Sequence, residues 1–177
     1  MTSLLLGCNK QRVILVNLSK TLLADIWYLK LLLGSQFEEK VTLVTDEAAI
    51  EIVLEETKGK ASVIAIEAEQ HSLIQQCPID LAINIASMQE MNPEVIDEYF
   101  HDLAAASKGR RSLFYCCNRE EKILPDGTLV KFSNYPWHLS EDIIIDAFCP
   151  WHQKYYSMKP PFYHDYDGAI RHRLVKF

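Results

Sequence analysis

The sequence predicts an α/β domain of Rossmann-like type, and three observations carry that expectation. Apolar runs rich in β-branched residues alternate with stretches of helical periodicity, as in RVILVNL at 12–18 followed by leucines at helical spacing over 19–33. Continuous runs of that kind mark strands covered on both faces, the situation of a parallel sheet. A second run, DLAINI at 80–85, breaks into the polar residues Ser87, Gln89 and Glu90 before an Asn-Pro pair starts another helix. In α/β folds ligands gather where strands end at the carboxyl edge of the sheet, so this is where chemistry is expected. Finally, the 177 residues are 49% hydrophobic and 24% charged, close to globular averages and without a segment polar enough to stay unfolded. A chain of about 150 residues buries roughly 70% of its unfolded surface, so residues 1–177 are expected to form one domain.

The elements follow in order. After the strand at 12–18, Ser19 or Thr21 is placed to cap a helix in which Leu22, Leu23, Ile26, Leu29, Leu32 and Leu33 share a stripe until Gly34 ends it. VTLV at 41–44 is a second strand, stopping at Thr45 and Asp46; a helix over 47–58 carries Ile50, Val53 and Leu54 on one side, with Gly59 as its terminator. SVIAI at 62–66 is a third strand, and 71–76 reads as a short helix or turn. The strand at 80–85 leads to a helix over 93–107, where Pro93 suits the first turn because its missing N–H has no intrahelical partner there. RSLFYCC at 111–117 is another strand, and ILPDGTLVKF at 123–132 carries a Pro-Asp-Gly turn between apolar arms, a hairpin. Antiparallel strands commonly close one end of a mostly parallel sheet. The last third, rich in tyrosine and tryptophan and punctuated by Pro136, Pro150, Pro160 and Pro161, is expected to be ordered but mostly irregular.

Charge and cysteine usage exclude several functions. A net charge of −6 argues against nucleic acid, which calls for a basic patch or stripe. The short group Lys108, Arg110 and Arg111 falls where a helix ends, and cations there offset the negative end of the helix dipole. Five cysteines form an odd set without paired metal spacing, with Cys116 and Cys117 adjacent on a strand, so reduced thiols and a cytoplasmic location are expected. The amino terminus has neither the basic region of a signal peptide nor the length of a spanning helix. His138, His152, His164 and His172 include no pair at helical i, i+4 spacing, and no metal is expected.

Several stretches, VILVNLSKTLLADIWYL, DLAINIASMQEMNPEVIDEYF, SLFYCCN, YPW and the closing HRLVKF, arrive in the order of one family. The chain resembles the carboxy-terminal portion of the sugar O-methyltransferases, a branch of the class I S-adenosylmethionine-dependent methyltransferases. The resemblance runs from about Arg12 to Phe177, and its most specific segment is SMQEM. It implies a Rossmann-like sheet that binds S-adenosylmethionine at the carboxyl edge of its first strands and methylates a sugar or related small-molecule hydroxyl. Two departures matter. The family's Gly-rich turn precedes the strand at 12–18, and only Gly7 stands there, so the first strand and helix are expected to be missing or abbreviated. The family's acidic residue for the ribose hydroxyls is Asn17 here. A neutral amide replaces a charge-assisted acceptor, and cofactor affinity is expected to suffer.

Within that frame, methyl transfer from a sulfonium to a hydroxyl requires in-line placement and usually a base for the proton. Glu90 is the candidate base, with Asn84 and Ser87 orienting the acceptor; equally, Glu90 can stabilise the start of the following helix through its dipole, with Asn92 as cap. Asn17 and Asp46 fall at the cofactor side, Asp46 either meeting the adenine amino group or capping a helix. Asn118, Trp137, His172 and Arg173 are candidates on the acceptor side, although Asn118 also suits a turn and His172 and Arg173 also suit the anchoring of a final strand. Two functions follow from different classes: the methyltransferase, and a catalytically inactive or partial methyltransferase-like domain acting as a binding or assembly module. Loss of the first strand would leave an open sheet edge, and open edges recruit partners, so a homo-oligomer or a covering partner chain is expected, with no membrane partner.

Overall fold

The computed structural model describes residues 11–177; Gly7 and Cys8 lie outside the described residues. The chain, expected as one domain, divides into two compact units, the first ending at Cys77 and the second spanning Pro78–Phe177.

In the first unit, β1 (Arg12–Asn17), β2 (Val41–Val44) and β3 (Ser62–Glu67) form a parallel sheet in the order β1-β3-β2. The register runs from Arg12 opposite Ser62 and from Val41 opposite Val63. The central position of β3 explains its composition, since Val63, Ile64, Ala65 and Ile66 are all completely buried. Each large apolar side chain removed from water in this way contributes about 1.5–3 kcal/mol. Helix α1 (Ser19–Leu33) packs Leu29 on Val63 together with Val13, Leu15 and Phe37. It ends where Gly34 takes φ +53°, backbone that favours glycine. Neither Ser19 nor Thr21 caps it; the residue ahead of the helix is Leu18, without a side-chain cap. A single turn, α2 (Phe37–Lys40), leads into β2. Helix α3 (Glu47–Glu56) is capped by Asp46, whose Oδ1 accepts the Ala49 N–H at 2.9 Å. The stretch 71–76 falls inside a 3-10 segment, Ala68–Gln76.

The second unit is built on a four-stranded mixed sheet. Its strands are β4 (Leu81–Ile85), β5 (Leu113–Arg119), β8 (Asp142–Phe148) and β11 (Ile170–Lys176), in the order β4-β5-β11-β8. β4 and β5 run parallel, while β11 runs antiparallel to both β5 and β8. Side chains alternate across a sheet, so the register separates two faces. Phe114 and Cys116 of β5 lie on the face covered by α4 (Pro93–Ala106). There Phe100 meets Phe114 at 5.4 Å and Trp137 at 5.1 Å between ring centroids, edge to face in both pairs. Phe132, Tyr135 and Phe177 complete this aromatic core. The opposite face carries Leu81, Ile83, Ile85, Tyr115, Cys117, His172, Ala147 and Ile145 by register. It is open at its two edges, with Leu81 52%, Ile83 38% and Ile85 43% exposed on β4 and Ile145 40% on β8, whereas Cys117 and His172 between them are buried.

Three expectations are corrected. The Pro-Asp-Gly hairpin forms as β6 (Glu121–Ile123) and β7 (Leu129–Lys131), but as a two-stranded sheet of its own rather than as the end of the main one. The last third is not mostly irregular, because it supplies β8, β9 (Lys154–Tyr156), β10 (Tyr163–Asp165) and β11. β9 and β10 pair antiparallel, while β11 inserts between β5 and β8. The architecture is therefore α/β with several separate sheets, one of them mixed, rather than one mostly parallel sheet. The reason is local: the strand DIIIDAF has three consecutive isoleucines and no alternation, which hides an edge strand exposed on both sides. No described helix is long and apolar enough to cross a membrane.

Candidate functional site

The polar groups expected to carry chemistry meet where β4 ends. Ala86 adopts φ +57°, a left-handed conformation that costs about 1–2 kcal/mol for a residue with a Cβ. Its N–H bonds the Cys117 carbonyl at 2.9 Å, which fixes the turn and swings the 3-10 segment Met88–Glu90 against the end of β5. Strain of this kind persists only where the surroundings over-determine it.

What over-determines it is a chain of amides. Asn84 Nδ2 donates to Ser87 Oγ at 2.6 Å, and Asn84 Oδ1 accepts from the Met88 N–H at 3.2 Å and from Asn118 Nδ2 at 3.0 Å. Asn118, completely buried, accepts the Gln89 N–H on its Oδ1 at 3.2 Å and donates also to Cys116 Sγ at 3.0 Å. Gln89 accepts the Arg119 N–H at 2.7 Å and donates to Glu90 Oε1 at 3.1 Å. Lys122 Nζ lies 3.4 Å from the same Glu90 oxygen. Buried amides must be satisfied, and here they satisfy one another. The arrangement braces the strained turn and leaves the half-exposed Glu90 carboxylate at its outer end.

Of the expected site residues, the structure thus brings together Asn84, Ser87, Glu90 and Asn118. Asn118 falls within β5, not in a turn. Trp137 and Arg173 form a second group on the same sheet face. Trp137 Nε1 donates to the Phe132 carbonyl at 2.7 Å, and the Arg173 guanidinium stacks 4.4 Å from the Trp137 ring. Arg173 Nη2 also donates to Asp146 Oδ2 at 2.6 Å, while Arg171 grips Asp146 through Nε and Nη2 at 2.6 and 3.0 Å. Burial raises the Asp146 pKa, but the hydrogen bonds from Arg171 and Arg173 and their charges together hold it below the ordinary carboxylate value. His172 points to the other face, where its Nδ1 lies 3.1 Å from the Tyr115 hydroxyl.

The two residues expected at the cofactor belong to the first unit and are engaged locally. Asn17 Nδ2 donates to Asp25 at 2.9 Å and its Oδ1 accepts the Leu18 N–H at 2.9 Å, and Asp46 serves as the helix cap already described.

The sequence reading missed a further group on the open face of the second unit. Cys117, Cys149 and His152 place one sulfur, nitrogen or sulfur ligand atom each within 4.8 Å of one another. Burial pushes the Cys117 thiol up to about 11, with the hydrogen bond and charge of Cys149 adding to the rise and the Tyr115 hydroxyl opposing it. The overlooked signal is the spacing Cys149-Pro150-Trp151-His152, a two-residue gap of the kind that zinc ligands use. The second unit forms clefts on both sides of this sheet region. One, of about 80 Å³, lies between α4 and β7 and is lined by Pro93, Ile96, Leu129 and Tyr135. The other, of about 240 Å³, is lined by Phe148, Cys149, His152, Gln153 and Ile170. Neither includes Asn84 or Glu90.

No family model matches the chain, and no match was found among curated proteins. Among solved structures, the crystal structure of the PH0226 protein from Pyrococcus horikoshii OT3 aligns at 13% identity over 98% of this chain and 85% of that one, with a TM-score of 0.39. At that score the likeness carries no argument about fold or site.

Proposed function

We propose that the chain is a methyltransferase-like module of the sugar O-methyltransferase kind that works by binding and assembly, pairing with a second copy of itself through the open face of its four-stranded sheet. The single observation that carries this reading is apolar exposure at both edges of that face, Leu81, Ile83 and Ile85 along β4 and Ile145 on β8, an edge strand exposed along its whole length. Apolar patches and free strand edges of this kind mark interaction sites. A twofold pairing presents the same patch from both copies, so apolar surface meets apolar surface without any further partner. The Rossmann-like ancestry accords with the parallel β1-β3-β2 sheet and the parallel β4–β5 pair. The engagement of Asn17 with Asp25, of Asp46 with the α3 amino end, and of Asn84 with Asn118 supports a structural use for those residues.

Methyl transfer from S-adenosylmethionine to a sugar hydroxyl is the second reading, favoured by one observation: the Glu90 carboxylate remains half exposed at the exit of β4, tethered by Gln89 and Lys122. There it would take the hydroxyl proton, with Ser87 beside it. Sedimentation velocity across micromolar concentrations separates the two readings when paired with calorimetric titration of S-adenosylmethionine. The module reading expects a concentration-dependent dimer and no heat at millimolar ligand. A monodisperse monomer that binds the cofactor at micromolar strength would replace it with the enzyme.

A further inference from the structure

We propose that Cys117, Cys149 and His152 hold a single zinc ion, with a fourth coordination position open to water or an incoming oxygen ligand. The geometry fits before any ion is present. In a tetrahedral site with Zn–S of about 2.3 Å and Zn–N of about 2.1 Å, sulfur and nitrogen stand about 3.6 Å apart and two sulfurs about 3.8 Å apart. Cys117 Sγ and His152 Nδ1 are 3.5 Å apart, and all three ligand atoms fall inside a 4.8 Å span. Two separate pieces of backbone converge to achieve this. Cys117 is fixed in the β5 ladder opposite His172. Cys149 is held just past β8 by its N–H bond to the Ile170 carbonyl at 2.8 Å. His152 follows three residues later, where its ring meets the edge of Tyr166.

The competing use of two neighbouring thiols is a disulfide. Here β11 lies between β5 and β8, and strands pack about 4.8 Å apart. The two cysteine backbones are therefore separated by roughly two strand spacings, about 9–10 Å, beyond the ~7 Å that a disulfide spans. A metal bridges that gap because it adds two bonds of about 2.3 Å between the sulfurs.

Charge and softness select the ion. Zn²⁺ displaces the protons of both thiols, which leave to solvent, so a dication with two thiolates and a neutral imidazole is electrically neutral. A neutral assembly can be buried without an uncompensated charge. Two sulfurs and an imidazole suit zinc and do not suit magnesium or calcium, which take oxygen ligands. An outer layer is also in place: His172, opposite Cys117 in the ladder, has its Nδ1 3.1 Å from the Tyr115 hydroxyl, a polar pair beside the ligands of the kind that orients them. Cys149 and His152 both line the cleft of about 240 Å³, so the unfilled position faces solvent-accessible space. Three protein ligands with one open position is the pattern of reactive rather than purely structural zinc.

The test uses the full chain, stripped of metal with a chelator under reducing conditions and titrated with Zn²⁺ by calorimetry and with Co²⁺ by visible absorption. The expected result is one ion per chain, and a cobalt spectrum with thiolate-to-metal charge transfer and the strong visible bands of tetrahedral geometry. Cys149→Ser and His152→Gln should each weaken binding by roughly tenfold or more, while His138→Gln, on an exposed residue outside the cluster, leaves it unchanged. His152 is only half buried, so its variant is the one expected to keep the fold. The proposal is overturned by a pale octahedral cobalt spectrum, by affinity that survives His152→Gln, or by mass spectrometry showing Cys117 and Cys149 joined as a disulfide in the protein as purified.

Discussion

Two consecutive residues of β5, Cys117 and Asn118, point to opposite faces of the same sheet, and the two faces have different characters. On the Asn118 side the amides partner one another beside an aromatic core, and the Tyr135 hydroxyl and Arg173 Nε are the buried polar atoms there without a partner among the described residues. On the Cys117 side isoleucines meet water, and a thiol, a second thiol and an imidazole gather beside a cleft. Two residues expected to orient or line the acceptor site, Asn84 and Asn118, serve to brace a strained turn. The face that looks like ordinary strand carries groups whose bonding capacity is still available. Capacity to bind follows from which donors and acceptors remain uncommitted after folding, and that is decided by register.

The largest expected effect tests the closed face. Phe100 is completely buried and touches Phe114, Trp137, Tyr135 and Phe177 with ring centroids 5.1–6.2 Å apart. Phe100→Ala removes the common partner of four rings and should cost about 3–5 kcal/mol, read as a drop in the urea midpoint. A loss below about 1 kcal/mol would mean that the aromatic core yields and refills the cavity, and the contrast between a closed and an open face would fail.

A smaller effect, and one that depends on pH, is expected at the rim of the closed face. Asp146 on β8 ties two arginines of β11. Arg173 is nearly buried over Trp137. Asp146→Asn takes the partner from a nearly buried Arg173, but Asp146 itself lies on an exposed strand where solvent screens the pair, so the cost should be about 1–2 kcal/mol at neutral pH. Its pKa is held below the ordinary carboxylate value despite the opposing effect of burial. A depressed folded pKa means that the stabilisation is fully present above the unfolded value of about 4 and is lost as the pH falls through the folded one. The stability gap between wild type and variant should therefore shrink on acidification below pH of about 4, and a gap that stays constant would remove Asp146 as its origin.

How far the sequence carried these conclusions differs between the faces. The strands β1 to β5 and the helices α1, α3 and α4 were legible because their apolar runs are long, periodic and punctuated by Gly34, Gly59 and Pro93. The approach of Asn84 and Ser87 to Glu90 was legible too, since one turn separates them. Their closure through Asn118 was not, because that bond spans 34 positions. The strand β8 escaped notice for lack of alternation, and without it the meeting of Cys117 with Cys149 could not be foreseen. Only the two-residue gap between Cys149 and His152 is visible in the sequence, and it is a cysteine–histidine spacing rather than a pair of histidines one helical turn apart.

The smallest expected change in stability falls on the open face and is the sharpest test of it. Ile83 is 38% exposed and sits opposite Tyr115 in the β4–β5 ladder. Threonine keeps the β-branched shape that strands favour while replacing a methylene-bearing arm with a hydroxyl. In the isolated chain Ile83→Thr therefore touches little packing, and at concentrations low enough to hold the monomer the unfolding midpoint should move by about 0.5 kcal/mol or less. In a pair of copies joined through this face the same hydroxyl is buried twice, once from each chain, and each burial without a hydrogen-bond partner costs about 1–3 kcal/mol. Association should then weaken by roughly thirtyfold or more, since each 1.4 kcal/mol is a factor of ten. The two readouts are independent, stability at low concentration and sedimentation at high. A variant that unfolds more easily yet still dimerises would place Ile83 in the core of its own chain and move the interface elsewhere, whereas one that stays folded and monomeric assigns the interface to the row of Leu81, Ile83 and Ile85.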